Sequence, residues 1–334
     1  MSKIAQKIKF GNQDWESTIL GFGTVPIGNF GMPVASSDAH NLIQKAWDNG
    51  IRFFDTAPMY GHGLAEYRLA DILLDKKRTD YQLITKVGRT LRPAQPGTFD
   101  SSPWVDTPPF KLEFDYSYDG VMRQVEDSLQ RLGTYYLDVL LIHDTDRWTH
   151  GDDYPIRFKE AIEGAAKALV KLRDEKVVKA IGFGVNEVDV CLKALEYVDV
   201  DAFLIAGTYT LLNQSAGREL LPRCKELGIG VINGRVFGSG VLATGSSPVA
   251  KFDYAIASDE IVAKVRVLEE VCDSYEVSLG AAAIQFAATG PAIANVCIGS
   301  RTIEQQSESF GWFNEVIPDA FWGTLREKEI IESQ

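Results

Sequence analysis

The run LDVLLIH at residues 137–143 decides the fold that we expect for this chain. It is a short apolar segment with the length of a buried strand, and it ends in a histidine. The run FFD at 53–55 ends similarly in Asp55, and LITK at 83–86 ends in Lys86. Because a charge within a buried strand is costly, these polar residues are expected at strand ends. Polar residues at the carboxyl ends of several strands are typical of the active site of a (β/α)8 barrel.

The rest of the chain repeats the same alternation of apolar runs and amphipathic, helix-length segments. Eight strands are predicted at residues 19–24, 51–55, 83–87, 137–143, 178–185, 202–207, 230–234 and 296–298. Helices are predicted at residues 37–49, 64–74, 118–132, 158–175, 187–197, 214–227, 258–275, 279–288 and 303–314. Strands that alternate with helices indicate parallel pairing. The predicted fold class is α/β, a (β/α)8 TIM barrel with long active-site loops, formed as a single domain by residues 1–334.

Composition and charge exclude several classes of protein. The net charge of −12 argues against a nucleic-acid partner, which requires a basic surface. No apolar run reaches the ~20 residues that span a bilayer, and no apolar segment follows the basic N-terminus, so neither a membrane span nor a secretory signal is predicted. The four cysteines are widely spaced, which indicates reduced thiols in a cytoplasmic protein. The histidines form no metal-binding pattern, and nothing indicates the oligomeric state.

Two loops depart from the regular alternation of strands and helices. Residues 88–117 are rich in proline and aromatic residues and follow the third predicted strand, on the expected active-site face. They are interpreted as a lid or substrate-binding loop, with a packing excursion as the alternative. A loop rich in glycine and serine at 238–248 follows the seventh strand on the same face.

Four of the polar residues have complementary chemistry: Asp55, Tyr60, Lys86 and His143. A phenol has a pKa of about 10, and a nearby ammonium is expected to lower it. Lys86 would supply the ammonium, Asp55 would hold it, and His143 would orient a substrate oxygen or pass a proton. Such a set interconverts a carbonyl and an alcohol, and it needs a separate hydride carrier.

The ordered motifs that contain these residues resemble the aldo-keto reductase superfamily. They are DTAPMYG at 55–61, TKV at 85–87, SLQRLG at 128–133 and LDVLLIH at 137–143, and the resemblance extends from about Leu20 to about Phe313. It implies a (β/α)8 barrel that binds a nicotinamide cofactor without a Rossmann fold. It also implies that the four residues form the catalytic tetrad, with Tyr60 as the general acid/base.

A narrower resemblance concerns the substrate. The segments FDYSYDG at 114–120, GFGVN at 182–186 and FGSGVLA at 237–243 are similar to a branch of dehydrogenases that act on L-fucose, D-threo-aldoses and pyridoxal. This implies a small carbonyl or hemiacetal substrate, oxidised as a cyclic hemiacetal to the lactone. Two alternatives remain: an NADPH-dependent aldehyde or ketone reductase, and a non-catalytic, cofactor-binding regulatory subunit.

The resemblance also implies a cofactor site, from which the chain departs at several positions. The residues that it assigns to the cofactor are Asn186, Tyr209, Phe237, Ser239, Ser300, Arg301, Gln305 and Glu308. Asn186 would contact the carboxamide, and Phe237 and Ser239 the pyrophosphate. Where the family has a serine, this chain has Val185, and where the family has a glutamine, it has Ala206. The aromatic residue that stacks on the nicotinamide in the family is replaced near Asn233-Gly234.

The residues after the last strand bear on the choice between NAD and NADP. Relatives that prefer NADPH place a lysine and an arginine at the positions of Gly299 and Gln305, where they bind the 2′-phosphate. Their absence favours NAD, although NADP remains possible because Arg301 could reach a phosphate. His62 and Trp148 are further candidates for substrate contact, with ordinary loop packing as the alternative.

Overall fold

Eight short parallel strands close into a barrel in the computed structural model, which describes residues 3–247 and 249–332. The strands are β1 (Leu20–Gly23), β2 (Phe53–Asp55), β3 (Gln82–Val87), β4 (Leu137–His143), β5 (Val178–Val185), β6 (Ala202–Ala206), β7 (Gly230–Gly234) and β8 (Ile293–Ile298). Each strand pairs with its neighbours in chain order, and β8 pairs with β1. The predicted (β/α)8 fold is confirmed, and all eight predicted strands are present.

The parallel register determines which side chains meet. In the β4–β5 pair it extends from Leu137 opposite Val178 to His143 opposite Gly184. Because all eight strands are parallel, their carboxyl ends open onto the same mouth of the barrel. Polar residues that end different strands are therefore brought together.

Helices surround the barrel close to the predicted positions. The longer ones are Ser36–Asp48, Leu64–Leu73, Tyr118–Leu132, Tyr154–Glu160, Ala166–Asp174, Val188–Ala194, Leu220–Leu227, Asp259–Ser274, Leu279–Phe286, Ile303–Asn314 and Asp319–Glu327. Short helices cover Arg147–His150, Ser215–Arg218 and Val241–Thr244, and a π-helical turn at Ala161–Ala165 joins two of the longer helices. The helix at Asp319–Glu327 was not predicted.

The helix predicted at 214–227 is broken. It ends at Arg218 and restarts at Leu220, with non-helical φ and ψ of −132° and −49° at Glu219. Pro222 explains the break, because its ring would collide with the carbonyl of Arg218 in a continuous helix. In the first turn of the new helix the proline is tolerated.

The amino end of the barrel is closed by a hairpin that was not predicted. Its strands, Lys7–Lys9 and Glu16–Thr18, are antiparallel and only three residues long. Phe10 in its turn is fully buried among the side chains inside the barrel, 6.0 Å from the ring of Phe53. Trp15 stacks on Phe10 at 4.5 Å. The hairpin thus seals the end opposite the mouth.

The predicted long loops lie over the mouth and contain structure of their own. Residues 88–117 include an antiparallel hairpin of Arg89–Pro93 and Phe110–Phe114. Gly238–Gly240 and Val241–Thr244 form helical turns, and a small hairpin of Lys251–Phe252 and Ala255–Ile256 follows. Pro248, in the second predicted loop, lies outside the described residues. In the described part of the chain, no helix combines the length and the apolar composition needed to cross a membrane.

Candidate active site

The structure brings the four predicted catalytic residues together at the mouth. Asp55 and His143 are the last residues of β2 and β4, Lys86 is the penultimate residue of β3, and Tyr60 follows β2 in a turn. These three strands are consecutive neighbours in the barrel. All four residues are buried, with exposures of 3% for Asp55, 8% for Tyr60, 1% for Lys86 and 7% for His143. Their charges and dipoles therefore interact with little screening by water.

Lys86 is held from two sides. Its Nζ donates to Asp55 Oδ1 at 2.6 Å and to the backbone oxygen of Thr56 at 2.9 Å. An ammonium has three N–H groups, so one remains for the mouth. Nζ lies 4.7 Å from the centre of the Tyr60 ring. Burial raises the pKa of Asp55, while the charge and the hydrogen bond of Lys86 oppose that rise.

The pKa of Tyr60 differs from the one expected from the sequence. Burial raises its pKa well above 10, and the charges of Asp55 and Asp144 raise it further. The expected lowering of its pKa is therefore wrong for this structure, because desolvation of the phenolate and the nearby carboxylates raise it instead. At neutral pH the hydroxyl is protonated and can donate a proton to a substrate oxygen.

His143 belongs to a hydrogen-bonded and ion-paired group that the sequence did not reveal. Its Nε2 lies 3.5 Å from Asp144 Oδ2, and the same oxygen accepts a bond of 2.9 Å from Arg89 Nη2. Tyr116 donates from its hydroxyl to the backbone oxygen of His143 at 2.8 Å. Burial, Arg89 and Lys86 together keep the pKa of His143 well below 6.5. The imidazole is thus neutral at pH 7, with one nitrogen as donor and the other as acceptor.

Aromatic rings form a wall beside the phenol. Trp104, from the long loop at 88–117, is buried 5.8 Å from the Tyr60 ring and 5.2 Å from Phe30. Phe30 in turn lies 5.2 Å from Tyr254 in the small hairpin. The long loop therefore packs at the mouth, as its aromatic composition predicts. A planar or partly apolar ligand would fit against this wall.

The two further candidates for substrate contact differ in burial and in their partners. His62 is buried, with Nδ1 2.6 Å from the backbone oxygen of Phe110, so it anchors the hairpin of the long loop. Trp148 is half exposed and lies over the guanidinium of Arg235. Of the two, Trp148 is the more exposed, and substrate contact by either residue stays a prediction.

Two predicted cofactor residues, one directly after β5 and one after β6, have well-defined contacts. Asn186 donates from Nδ2 to Asp144 at 3.2 Å and to Asp146 at 3.0 Å. Tyr209 is buried and stacks on Phe286 at 5.0 Å, and its carbonyl accepts a bond from Asn233. These contacts explain the local packing, and cofactor binding by either residue stays a prediction.

Two predicted cofactor residues after β7 lie within the loop packing. Phe237 is half-buried with its ring 5.7 Å from Trp312, and Ser239 accepts a bond from the backbone of Tyr254 at 3.2 Å. Ser239 has a positive φ of 63°. Their contact with a pyrophosphate stays a prediction.

The other predicted cofactor residues lie around the start of the helix Ile303–Asn314. Ser300 is buried, whereas Gln305 and Glu308 are exposed. Arg301 donates from Nη2 to the backbone oxygen of Phe30 at 2.7 Å, and its backbone N–H donates to Gln305 Oε1. The guanidinium is thus held toward the loop after β1, and a role in binding the adenosine end stays a prediction.

The mouth fits a nicotinamide dinucleotide. Thr302 caps the helix at Ile303–Asn314, and a helix N-terminus favours a phosphate. Arg301 near this helix keeps its Nε buried without a partner among the described residues. Arg89 and Arg235 were both missed from the sequence. An arginine one or two positions after an apolar strand is the signal that could have revealed them.

Comparisons with known proteins agree with the fold and with this chemistry. The aldo/keto reductase family model matches residues 19–330. A pyridoxal 4-dehydrogenase of Microbacterium luteolum is 41% identical, over 98% of this chain and 99% of its own length. A D-threo-aldose 1-dehydrogenase of a Pseudomonas species is 35% identical, over 93% and 94% of the two chains. The solved structure of an aldo-keto reductase from Bacillus halodurans, in its holo form, is 20% identical with a TM-score of 0.75, over 98% and 97% of the two chains.

These matches cover nearly the whole chain, including every strand of the barrel. The resemblance of its motifs to this family, and to its pyridoxal and aldose dehydrogenases, is confirmed. The chain belongs to the aldo/keto reductase family and is an enzyme, an oxidoreductase that uses a nicotinamide cofactor.

Proposed function

We propose that this enzyme oxidises a cyclic hemiacetal to the corresponding lactone with NAD, and that Tyr60 is its general acid/base. The observation that carries the proposal is the buried phenol of Tyr60 between Lys86 and His143. The rings of Tyr60 and His143 are 5.8 Å apart, edge to face, so one substrate oxygen can lie between them. Asp55 and Lys86 would be positioning and electrostatic partners.

The proposed reaction moves one proton and one hydride. The hemiacetal O–H gives its proton to the Tyr60 phenolate, and the C–H bond of the same carbon supplies the hydride as the C=O bond of the lactone forms. The nicotinamide, when bound, accepts the hydride. Lys86 stabilises the phenolate before transfer, and neutral His143 donates a hydrogen bond to the reacting oxygen or accepts one from it.

The names of the relatives support this substrate class. One acts on pyridoxal and the other on D-threo-aldoses, and both compounds exist largely as cyclic hemiacetals. The aromatic wall of Trp104, Phe30 and Tyr254 suits either ring, because sugars and pyridines both pack on aromatic faces. A cytoplasmic location is proposed on the basis of four buried, unpaired cysteines.

We also propose NAD as the preferred cofactor. The position of Gly299 has no room for a lysine, because a Cβ there would lie 2.7 Å from the backbone oxygen of Gly23 and from the ring of Pro26. Arg301 is occupied by the backbone oxygen of Phe30. With no cation at Gln305, the charge needed to hold a 2′-phosphate is missing from these positions.

Introducing a cation at Gln305 should shift the cofactor preference. For Gln305→Arg we expect the ratio of kcat/KM with NADP to kcat/KM with NAD to rise by about tenfold or more, because a hydrogen bond between charged groups contributes about 1.5–3 kcal/mol. Gln305→Met is the control, since it removes the same amide without adding charge. An unchanged ratio in Gln305→Arg would remove the support that this position gives to NAD.

The pH dependence should differ between the two directions of reaction. Below its raised pKa, the phenolate fraction of Tyr60 grows about tenfold per pH unit, so kcat/KM for oxidation should rise by about that factor per unit between pH 7 and pH 9. Carbonyl reduction needs the protonated phenol and should stay nearly flat over this range. A flat profile for oxidation would mean that neutral His143, rather than Tyr60, takes the proton.

The same residues catalyse both directions of the reaction. The reductase hypothesis therefore differs from this proposal only in direction and in cofactor. It would be favoured by consumption of NADPH with aldehydes and by no turnover of hemiacetals with NAD. The regulatory-subunit hypothesis differs in class, and the family match and the named dehydrogenase relatives argue against it.

A further inference from the structure

Arg235 is a buried cation whose hydrogen-bonding capacity is only partly used. It directly follows β7, and its side chain is 8% exposed. Nη2 donates to the backbone oxygen of Ala206 at 2.7 Å, whereas Nε and Nη1 are buried without any partner among the described residues. Unpaired buried donors on a charged group are costly, so the arrangement is typical of a site that awaits an acceptor.

Neighbouring residues hold the guanidinium in a fixed position. Its Cζ lies 5.4 Å from the centre of the Trp148 ring and 5.3 Å from that of Tyr254. Gly207 leaves it room, because a Cβ there would lie 2.6 Å from Nε. Asp253 is its nearest carboxylate, with Oδ1 3.5 Å from Nη2, which leaves the charge of Arg235 only loosely paired.

The guanidinium opens onto the same mouth as the catalytic phenol. Tyr254, which contacts the guanidinium, lies 5.2 Å from Phe30 between ring centres. Phe30 lies 5.2 Å from Trp104, and Trp104 lies 5.8 Å from Tyr60. The phenol of Tyr254 is also close enough to Tyr60 to contribute to its raised pKa. The aromatic wall therefore runs without a break from the catalytic phenol to the guanidinium.

We propose that Arg235 binds an anionic oxygen of the substrate, so that the site selects a planar hemiacetal bearing an ionised ring hydroxyl or a carboxylate over a neutral aldose. This rests on the proposed hemiacetal oxidation and names its substrate class. The guanidinium is permanently charged and keeps two unpartnered nitrogens, which suits an anionic oxygen better than a neutral sugar hydroxyl. Pyridoxal, with its acidic ring hydroxyl, is one member of this class.

The test compares an anionic with a neutral substrate on the same protein. For Arg235→Gln, the ratio of kcat/KM for pyridoxal to kcat/KM for L-fucose should fall by about 10- to 100-fold, as expected for loss of a charge-assisted bond. Because both substrates use one preparation, partial unfolding cancels in the ratio. Lys251→Gln, which removes an exposed cation from the small hairpin, is the control and should leave the ratio unchanged. An unchanged ratio in Arg235→Gln would overturn the proposal.

Equilibrium binding separates this proposal from the proposed function. The lactone of pyridoxal keeps the ring hydroxyl, and its affinity, measured by calorimetry, should fall by about tenfold or more in Arg235→Gln. Binding of NAD, measured in the same way, should change far less. If NAD affinity falls and lactone affinity does not, Arg235 serves the cofactor and the proposal is wrong. If the wild type binds the lactone through Arg235 but oxidises neither substrate, the proposed function fails and this inference stands.

Discussion

Replacing Tyr60 by phenylalanine is expected to lower kcat for hemiacetal oxidation by about 10²- to 10⁴-fold, the usual contribution of a general acid or base. The change removes one hydroxyl and keeps the ring that packs against Trp104 and lies beneath Lys86. The site should therefore keep its shape while losing the group that takes the proton. Steady-state rates with NAD and pyridoxal or L-fucose measure the effect.

The control for Tyr60→Phe is cofactor binding. The affinity of the variant for NAD, measured by titration, should stay within a few-fold of that of the wild type. Tyr60 is not among the residues predicted to bind the dinucleotide. Full activity in the variant would exclude Tyr60 as the acid/base.

Replacing Lys86 by methionine should destabilise the protein as well as inactivate it. The side chains of Lys86 and Asp55 are 1% and 5% exposed and 2.6 Å apart, so the variant leaves a carboxyl group buried without its partner. Removing one member of such a pair typically costs about 3–5 kcal/mol of unfolding free energy. Burial already raises the pKa of Asp55, and the variant lacks the charge and the hydrogen bond of Lys86 that oppose this rise. Denaturant unfolding at pH 7 measures the loss.

The double variant Asp55→Asn/Lys86→Met separates stability from catalysis. With no charge left in the buried pair, it should recover much of the unfolding free energy lost in Lys86→Met, whereas its activity should stay low. If the double variant is no more stable than the single one, the loss in Lys86→Met comes from packing, and the account of a buried, mutually dependent pair is wrong.

The barrel was predictable because its strands are distinctive in sequence. Each is a short apolar run followed by a helical pattern, and such a run can be recognised without knowledge of distant contacts. The hairpin of Lys7–Lys9 and Glu16–Thr18 lacked that signal, because its strands are short and largely polar. Its burial depends on Phe10 reaching the barrel interior, a contact across the whole molecule. Pro222 could have indicated the broken helix, since its effect is local.

The four candidate catalytic residues could be placed from sequence because parallel strands bring their carboxyl ends together. The pKa of Tyr60 was predicted in the wrong direction, because its burial depends on tertiary contacts, such as that with Trp104 from a distant loop. Arg89 and Arg235 escaped notice for a similar reason. Their partners, Asp144 and Ala206, follow or end other strands, and only the folded mouth brings them within hydrogen-bonding distance.

The most direct test of the proposed function is the oxidation of hemiacetals by the wild-type enzyme. Initial rates would be measured with NAD and with NADP against pyridoxal, L-fucose, D-arabinose, L-galactose and L-xylose, from the absorbance of the reduced nicotinamide, with the lactone identified by mass spectrometry. We expect turnover with NAD, lactone as product, and a faster reaction with pyridoxal than with the neutral sugars. Absence of oxidation across the panel, together with consumption of NADPH by aldehydes, would contradict the proposed function.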